Sequence, residues 1–408
     1  MTAVALPEVA LAGSVGMAED RLARIEPYFR AKYVDTGLLP GVLTLVARRG
    51  KVVHIGCSGW RDVEAGRPVS ADTVYRLYSM TKPVTSVGLM QLYERGLFQL
   101  DDPVSRFLPE LADLRVWTPG GEPVPASSPV TIHHLLTHTS GFTYGFLMET
   151  EVDALYRERG VGLFEGGGDL ATMVSALGTL PLLFEPGTRW NYGVSTDVCG
   201  RLIEVLTDEP LDLYLSSKVF EPLEMVDTGF MVREEQQPRF AACYIPGPNG
   251  LQRFDDPATS PYLTRPTLLS GGGGLVGTAG DYVRFCAMLL NGGELDGRRV
   301  LGRKTVGYMT ANHLPANGDL TSMGRPVFSE TSYDGIGFGL GFSVLLDPVR
   351  AHIIGSPGEY AWGGAASTMF FVDPSEELIA LLLTQLVPSS TYPVRREMRA
   401  LTYQALVD

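Results

Sequence analysis

Strand-forming runs gather at the two ends of this 408-residue chain and thin out between them. Near the start, residues 42–47 (VLTLVA) and 51–56 (KVVHIG) are β-rich and are joined by Arg48, Arg49 and Gly50, the composition of a hairpin. Near the end, residues 337–345, 351–354, 368–373 and 378–384 read as strands separated by short turns. Short turns favour antiparallel pairing. The last strand has no hairpin partner after it. The N-terminal hairpin can supply one, which brings both ends of the chain into one sheet. The expected fold class is therefore α+β: an antiparallel sheet formed from both chain ends and flanked by helices, plus a mostly helical second region. On this reading 17–78 and 271–408 form a discontinuous α/β domain. Residues 79–270 form a mostly helical domain with long loops, and a cleft lies between the two.

Helical periodicity supports that division. Leu22, Ile25, Tyr28 and Phe29 recur at helical spacing and predict an amphipathic helix over 18–33. An apolar helix is expected over 79–95, stopped by Gly96. Further helices are expected over 132–137, 170–177, 196–207, 211–219, 281–290 and 395–405. Pro- and Gly-rich connections at 118–129 and 164–169, with loops at 247–264 and 315–331, are expected to shape a pocket.

Charge and hydropathy remove several functions. The chain carries 33 Lys plus Arg against 46 Asp plus Glu, a formal net charge of -13. A partner with a phosphate backbone usually meets a basic face, so nucleic acid is excluded as a partner. No uncharged apolar stretch is long enough to span a bilayer, so no membrane partner is expected. The opening MTAVALPEVALAGSVGMAED lacks a basic n-region, and Glu8 interrupts its apolar run. It is expected to be a loosely ordered lead-in and not a secretory signal. Cys57, Cys199, Cys243 and Cys286 are dispersed, without metal-ligand spacing. Buried free thiols in a reducing compartment account for them, and the expected location is cytoplasmic.

Three short stretches can carry chemistry. In Ser79-Met80-Thr81-Lys82-Pro83, the Pro83 ring cannot sit in a helix interior, so a helix running through Gln91 must begin near Ser79. Backbone N–H groups at a helix start are unpaired and the macrodipole there is positive. Lys82 lies one turn on, on the same face. A serine hydroxyl needs a base, and a desolvated lysine that has lost its charge can serve. The plain alternative is an N-cap serine followed by a surface lysine. The second stretch, Trp190-Asn191-Tyr192-Gly193-Val194-Ser195, follows the turn Glu185-Pro186-Gly187. A tyrosine placed there can shuttle a proton to a leaving group, or can be a core residue. The third, Tyr360-Ala361-Trp362-Gly363-Gly364-Ala365-Ala366-Ser367, brings small residues to a strand edge. There the N–H of Ala365 can join that of Ser79 as a two-donor oxyanion hole. Its alternative is a glycine turn with a packed tryptophan.

Taken in order, these stretches resemble the family VIII carboxylesterases, serine hydrolases of the class C β-lactamase and penicillin-binding-protein superfamily. The resemblance runs from about residue 20 to the end and includes Leu135-Leu136-Thr137-His138-Thr139-Ser140-Gly141 and Gly271-Gly272-Gly273-Gly274-Leu275-Val276. It implies a β-lactamase-like fold and a serine carboxylesterase acting on small to medium short-acyl esters. Ser79 would be the nucleophile and Lys82 with Tyr192 the general base and acid. The Ser79 and Ala365 N–H groups would hold the oxyanion, and Trp362, Gly363, Gly364 and Val194 would bind substrate. No cofactor and no metal is implied; the partner is a small-molecule ester. Two departures stand out. Val194 replaces the asparagine of Y-x-N, and Trp362 replaces the lysine of K-T-G. In the relatives those side chains help hold a lactam's carboxylate and amide, so their loss weighs against a β-lactamase or D-Ala-D-Ala peptidase and suits an uncharged ester. An acyltransferase on the same scaffold stays open, as do monomer and homodimer.

Other patterns are set aside. No G-x-S-x-G occurs. His134 and His138 stand at i,i+4, but Leu135 occupies the place where a zincin needs glutamate. A packed helix ending at Gly141 is expected instead. Gly335, Gly337, Gly339 and Gly341 alternate, which fits a strand with one bare face against another element. Gly166–Gly168 lacks a following K-[ST].

Overall fold

Among the residues described by the computed structural model (8–163, 166, 168–324 and 333–408), eight strands form one antiparallel sheet. Its order is Ile336–Phe338, Ser343–Leu345, Tyr360–Gly363, Met369–Asp373, Leu378–Leu383, Gly41–Arg48, Lys51–Asp62 and Arg67–Pro68. The chain ends join where Leu378–Leu383 pairs with Gly41–Arg48, in a register that runs from Leu43 opposite Leu383 to Arg48 opposite Leu378. The fold class is that expected from the distribution of strand residues.

The two central strands are buried along their whole length. Strand geometry sends successive side chains to opposite faces. Leu43, Leu45, Ile379, Leu381 and Leu383 join the larger core, which includes the helices Thr81–Glu94 and Ala279–Leu290. Val42, Val46, Leu378, Ala380 and Leu382 join the opposite core, with Phe29, Tyr33 and Met398 of the terminal helices. Helices on both faces explain why these strands are continuous apolar runs.

Several expected elements differ. The stretch 337–345 is two short strands, Ile336–Phe338 and Ser343–Leu345, folded on each other. Its glycines do lie against another element: a Cβ on Gly339 would meet the Met309 carbonyl oxygen at 2.1 Å. The stretch 351–354 is no strand. Pro348–Ala351 is a short helix with Pro at its first position, capped by the Asp347 carboxylate accepting from the N–H groups of Val349 and Arg350. An aspartate followed by proline is a helix-start signal that outweighs the apolar residues after it. Tyr360–Gly363 is a full strand paired with Met369–Asp373, not merely the approach to one. The helix expected over 18–33 is broken into Glu19–Leu22, Ile25–Phe29 and a π turn over Arg30–Val34. Pro27 has no N–H to give back to Ala23, which accounts for the interruption. The described part of the amino-terminal lead-in is packed: Ala12, Val15 and Met17 are buried, and the Ala10 N–H donates to the Val52 carbonyl at 2.8 Å. Residues 1–7, and parts of the loops expected at 164–169 and 315–331, lie outside the described residues, as does part of the glycine run 166–168.

The middle of the chain is mostly helical, with Glu151–Glu158, Leu170–Leu177, Ser195–Thr207 and Leu211–Leu215. It also holds a hairpin, Cys243–Gly247 with Gly250–Asp255, where little strand was expected. Buried Arg76 ties that hairpin down. Its Nε donates to Asp255 at 2.7 Å and Nη1 to the Ala241 carbonyl at 2.6 Å.

Candidate active site

Ser79 stands in a 3₁₀ turn, Tyr78–Met80, that runs directly into the helix Thr81–Glu94. The helix thus begins two residues later than expected, with Met80 and not Ser79 at its cap position. Tyr78 has φ 44°, a left-handed conformation that costs a side-chain-bearing residue about 1 kcal/mol or more and lifts Ser79 toward the cavity. The helix behind it is buried through Met90. Lys82 lies on its inner face, 1% exposed.

Tyr192 arrives from a distant loop. The Trp190 N–H donates to the Met323 carbonyl at 2.8 Å and the Asn191 N–H to the His138 carbonyl at 2.9 Å. Asn191 Nδ2 donates to the Phe142 carbonyl at 3.1 Å. A Cβ on Gly193 would come within 2.5 Å of that same oxygen, so glycine permits the close crossing. The Tyr192 ring is boxed by Trp190, His138, Tyr144 and Trp362 at centroid distances of 6.2, 5.1, 5.3 and 5.6 Å. Burial, and then the charge of Lys82, hold His138 well below its ordinary value, so a neutral imidazole backs the phenol.

The Tyr192 hydroxyl donates to Ser79 Oγ at 2.6 Å. Lys82 Nζ lies 3.4 Å from the same Oγ and 4.5 Å from the Tyr192 ring centroid. Residues 113 positions apart in sequence therefore meet at hydrogen-bonding distance. Lys82 also donates to the Gly272 carbonyl at 2.7 Å and to the Tyr144 hydroxyl at 2.9 Å. Behind Gly272, Asp197 accepts from the Gly272 N–H at 3.0 Å and from the Ser270 hydroxyl at 2.5 Å. Burial raises the Asp197 carboxyl above its ordinary value, against the pull of Lys82 and of those two donors.

These groups open onto a cavity of about 350 Å³. Ser79, Tyr192, Trp362, Gly363, Gly364 and Ala365 all line it. Tyr78, Tyr144, Phe146 and Phe254 add aromatic wall. Arg395 fixes the glycine turn, donating from Nη2 to the carbonyls of Gly364 at 2.9 Å and Thr368 at 3.1 Å. Val194 is placed elsewhere. It is fully buried in the core, at the start of Ser195–Thr207, and the cavity wall is built from other residues. The Val194 N–H donates to the Thr143 carbonyl at 3.3 Å.

The structure also brings in residues that the sequence left without a role. Tyr144 follows the Leu135–Gly141 stretch by three positions, and Gly272 lies in the glycine run 271–274. Both stretches carried family resemblance, which was the available signal. Asp197 and Ser270 gave none. The histidine pair is settled differently from a metal site. His134 Nδ1 accepts from the Thr131 N–H at 3.2 Å in a capping box, and the helix Ile132–Leu136 ends five residues before Gly141. His138 follows in a left-handed conformation, φ 56°. Among the described residues no group of three or more His, Cys, Asp or Glu side chains can hold a metal ion. Nor is any helix among them long and apolar enough to cross a membrane.

A sheet closed from both chain ends, with a Ser/Lys/Tyr cluster beside it, defines a β-lactamase-like fold. The family model described as Beta-lactamase matches residues 29–404, and the chain belongs to that family. Esterase EstB of Burkholderia gladioli is 34% identical over 384 residues, covering 89% of this chain and 90% of that protein. Protein Rv1367c of Mycobacterium tuberculosis is 38% identical over 362 residues, covering 87% and 88% respectively. Among solved structures, EstCE1, described as a hydrolase with promiscuous acyltransferase activity, superposes with a TM-score of 0.79 at 26% identity, covering 94% of this chain and 99% of its own.

Proposed function

We propose that this protein is a serine carboxylesterase of the family VIII type, hydrolysing small to medium short-acyl esters through an acyl-enzyme on Ser79. The observation that carries the reading is the contact of one serine oxygen with two proton carriers, the Tyr192 phenol at 2.6 Å and the Lys82 amine at 3.4 Å. In acylation, the neutral Lys82 amine takes the Ser79 proton as Oγ bonds to the ester carbonyl carbon. The carbonyl oxygen gains the electron pair and is held by the N–H groups of Ser79 and Ala365. Collapse restores the carbonyl and breaks the bond to the alkoxide, which takes its proton from Tyr192. Lys82, now an ammonium, returns a proton to the phenolate. Deacylation repeats the sequence with water in place of Ser79, and Oγ departs as the leaving group.

Trp362 in the cavity wall, where a β-lactamase has lysine, supports an uncharged substrate over a lactam. The same proposal keeps the cleft between a mostly helical domain, 79–270, and the discontinuous α/β domain, 17–78 and 271–408. A cytoplasmic location belongs to the same proposal and is supported by the four dispersed, free cysteines. A second reading, acyl transfer to an alcohol, is favoured by the apolar cavity and by the likeness to EstCE1.

Mass spectrometry after treatment with a fluorophosphonate tests the nucleophile, with a single adduct on Ser79 expected. Turnover of p-nitrophenyl acetate and butyrate should far exceed that of nitrocefin, and Ser79→Ala should abolish ester turnover while the melting temperature stays nearly unchanged. An adduct on another residue, or lactam turnover equal to ester turnover, overturns the proposal. Product analysis with added alcohols separates hydrolysis from transfer.

A further inference from the structure

Two aromatic residues of the cavity wall, Tyr144 and Phe146, sit on one short loop, residues 143–150, that leads into the helix Glu151–Glu158. One buried carboxylate closes that loop at both ends. Asp153 is 0% exposed. Its Oδ1 accepts from the Thr143 hydroxyl at 2.7 Å, and its Oδ2 accepts from the N–H groups of Glu149 and Thr150, each at 2.9 Å. Part of this is ordinary helix capping. The Thr150 hydroxyl accepts from the Asp153 N–H at 3.1 Å while the Thr150 N–H donates back to the carboxylate, the reciprocal pair of a capping box. A capping box needs nothing from Thr143, seven residues before the cap. Nor does it need Arg157, one turn further along the same helix face, which donates from Nη1 to the Gly145 carbonyl. Thr143 is also a junction. Its carbonyl accepts from the Val194 N–H at 3.3 Å, and the Phe142 carbonyl accepts from Asn191 Nδ2 at 3.1 Å, both from the loop that delivers Tyr192. The next residue, Tyr144, accepts from Lys82 at 2.9 Å.

We propose, resting on the esterase reading, that Asp153 is a positioning residue that sets which esters the cavity accepts, by holding Tyr144 and Phe146 as one fixed wall. A wall discriminates by size only when it cannot yield to the larger ligand, so its rotamers and backbone have to be locked from behind. The loop is gripped at 143, 145, 149 and 150, which leaves little freedom at 144 and 146. The two rings stack at a centroid distance of 4.6 Å and an interplanar angle of 22°, so they present one surface. Asp153 itself bonds to the loop and stands outside the cavity lining. It therefore acts through the residues it holds and not on the substrate.

The test compares wild type with Asp153→Ala, Asp153→Asn and Thr143→Val. Alanine removes all three acceptor bonds. Valine keeps the shape of Thr143 and removes only its hydroxyl. Asparagine can keep every bond: its oxygen accepts from the N–H groups of Glu149 and Thr150, and its amide donates to the Thr143 hydroxyl oxygen. Two ester pairs are used, p-nitrophenyl acetate with octanoate for the acyl side, and ethyl with benzyl butyrate, followed by acid release, for the alcohol side. The quantity read is the preference for the smaller ester, the ratio of the two kcat/KM values. A loss of rate transmitted through the Tyr144–Lys82 bond slows both members of a pair and cancels in that ratio. In one pair or the other the preference should fall about tenfold in Asp153→Ala and by a smaller factor in Thr143→Val, and Asp153→Asn should restore it. Melting curves check folding, and if Asp153→Ala does not fold, Thr143→Val decides. A change under about threefold in both pairs, in every Ala or Val variant that folds, overturns the proposal whatever happens to rate or melting temperature. An Asn variant as altered as the Ala variant overturns it too, as does wild type that turns over small and large esters alike. Wild type that neither labels at Ser79 with a fluorophosphonate nor hydrolyses any of the four esters overturns the underlying esterase reading instead.

Discussion

At the scale of single residues, the decisive contact is the 2.6 Å bond between Tyr192 and Ser79. Its proposed task is to deliver a proton to the departing alkoxide. Tyr192→Phe should therefore slow alkyl esters by about 100-fold or more, the usual reach of a general acid. A p-nitrophenolate leaves without needing a proton, so the loss on p-nitrophenyl esters should be distinctly smaller. Paired kcat/KM values on ethyl and p-nitrophenyl esters of one acid measure this, and equal losses would contradict the assignment. Ser79 and Lys82 were legible because their spacing has a mechanical reason behind it, and Tyr192 only through the family resemblance of its stretch. Tyr144 and Asp197 were not. A tyrosine in a loop and an aspartate in a helix have no local pattern that says which lysine they will meet.

At the scale of elements, the Cys243–Asp255 hairpin brings Phe254 to the cavity mouth, and its attachment rests on Arg76. That guanidinium is fully buried, and Asp255 is 13% exposed. Removing one member of such a pair strands the other, at a typical cost of about 3–5 kcal/mol. Arg76→Met should lose about that much stability in urea unfolding, and backbone amides of the hairpin should exchange faster. A loss under about 1 kcal/mol with unchanged exchange would show that the hairpin is held by other contacts. The element boundaries also show where local reading fails. Pro27 and Pro348 carried the right information, but the apolar periodicity over 18–33 and 351–354 was given more weight. Tyr360–Gly363 hides its strand character behind two glycines and becomes a strand because Met369–Asp373 pairs with it.

At the scale of the whole molecule, histidine burial sets a pH limit. Burial lowers His54 and His133 to about 4, the latter helped by His313 and His134, and it also lowers His134, His138 and His313 below their ordinary values. A histidine depressed in the folded state contributes stability that is complete above the unfolded value of 6.5 and is lost as pH falls toward the folded value. Each unit of that interval is worth about 1.4 kcal/mol per group, so His54 alone accounts for roughly 3 kcal/mol by pH 4. The melting temperature should thus decline from pH 7 to pH 5, above the range where ordinary carboxylates titrate. His54→Gln should flatten part of that slope, and a melting temperature constant over the interval would refute the account. The alternation of Leu43, Leu45 and their neighbours, the apolar run 378–384 and the Pro83 constraint were properties of the chain itself. From them followed a sheet shared by both ends and a serine at the head of a buried helix, because local sterics and strand periodicity act before any distant contact forms. Which tyrosine reaches that serine and what accepts from Lys82 were decided by packing. Those relations join residues from about 60 to 190 positions apart, and no local preference in a linear chain encodes them.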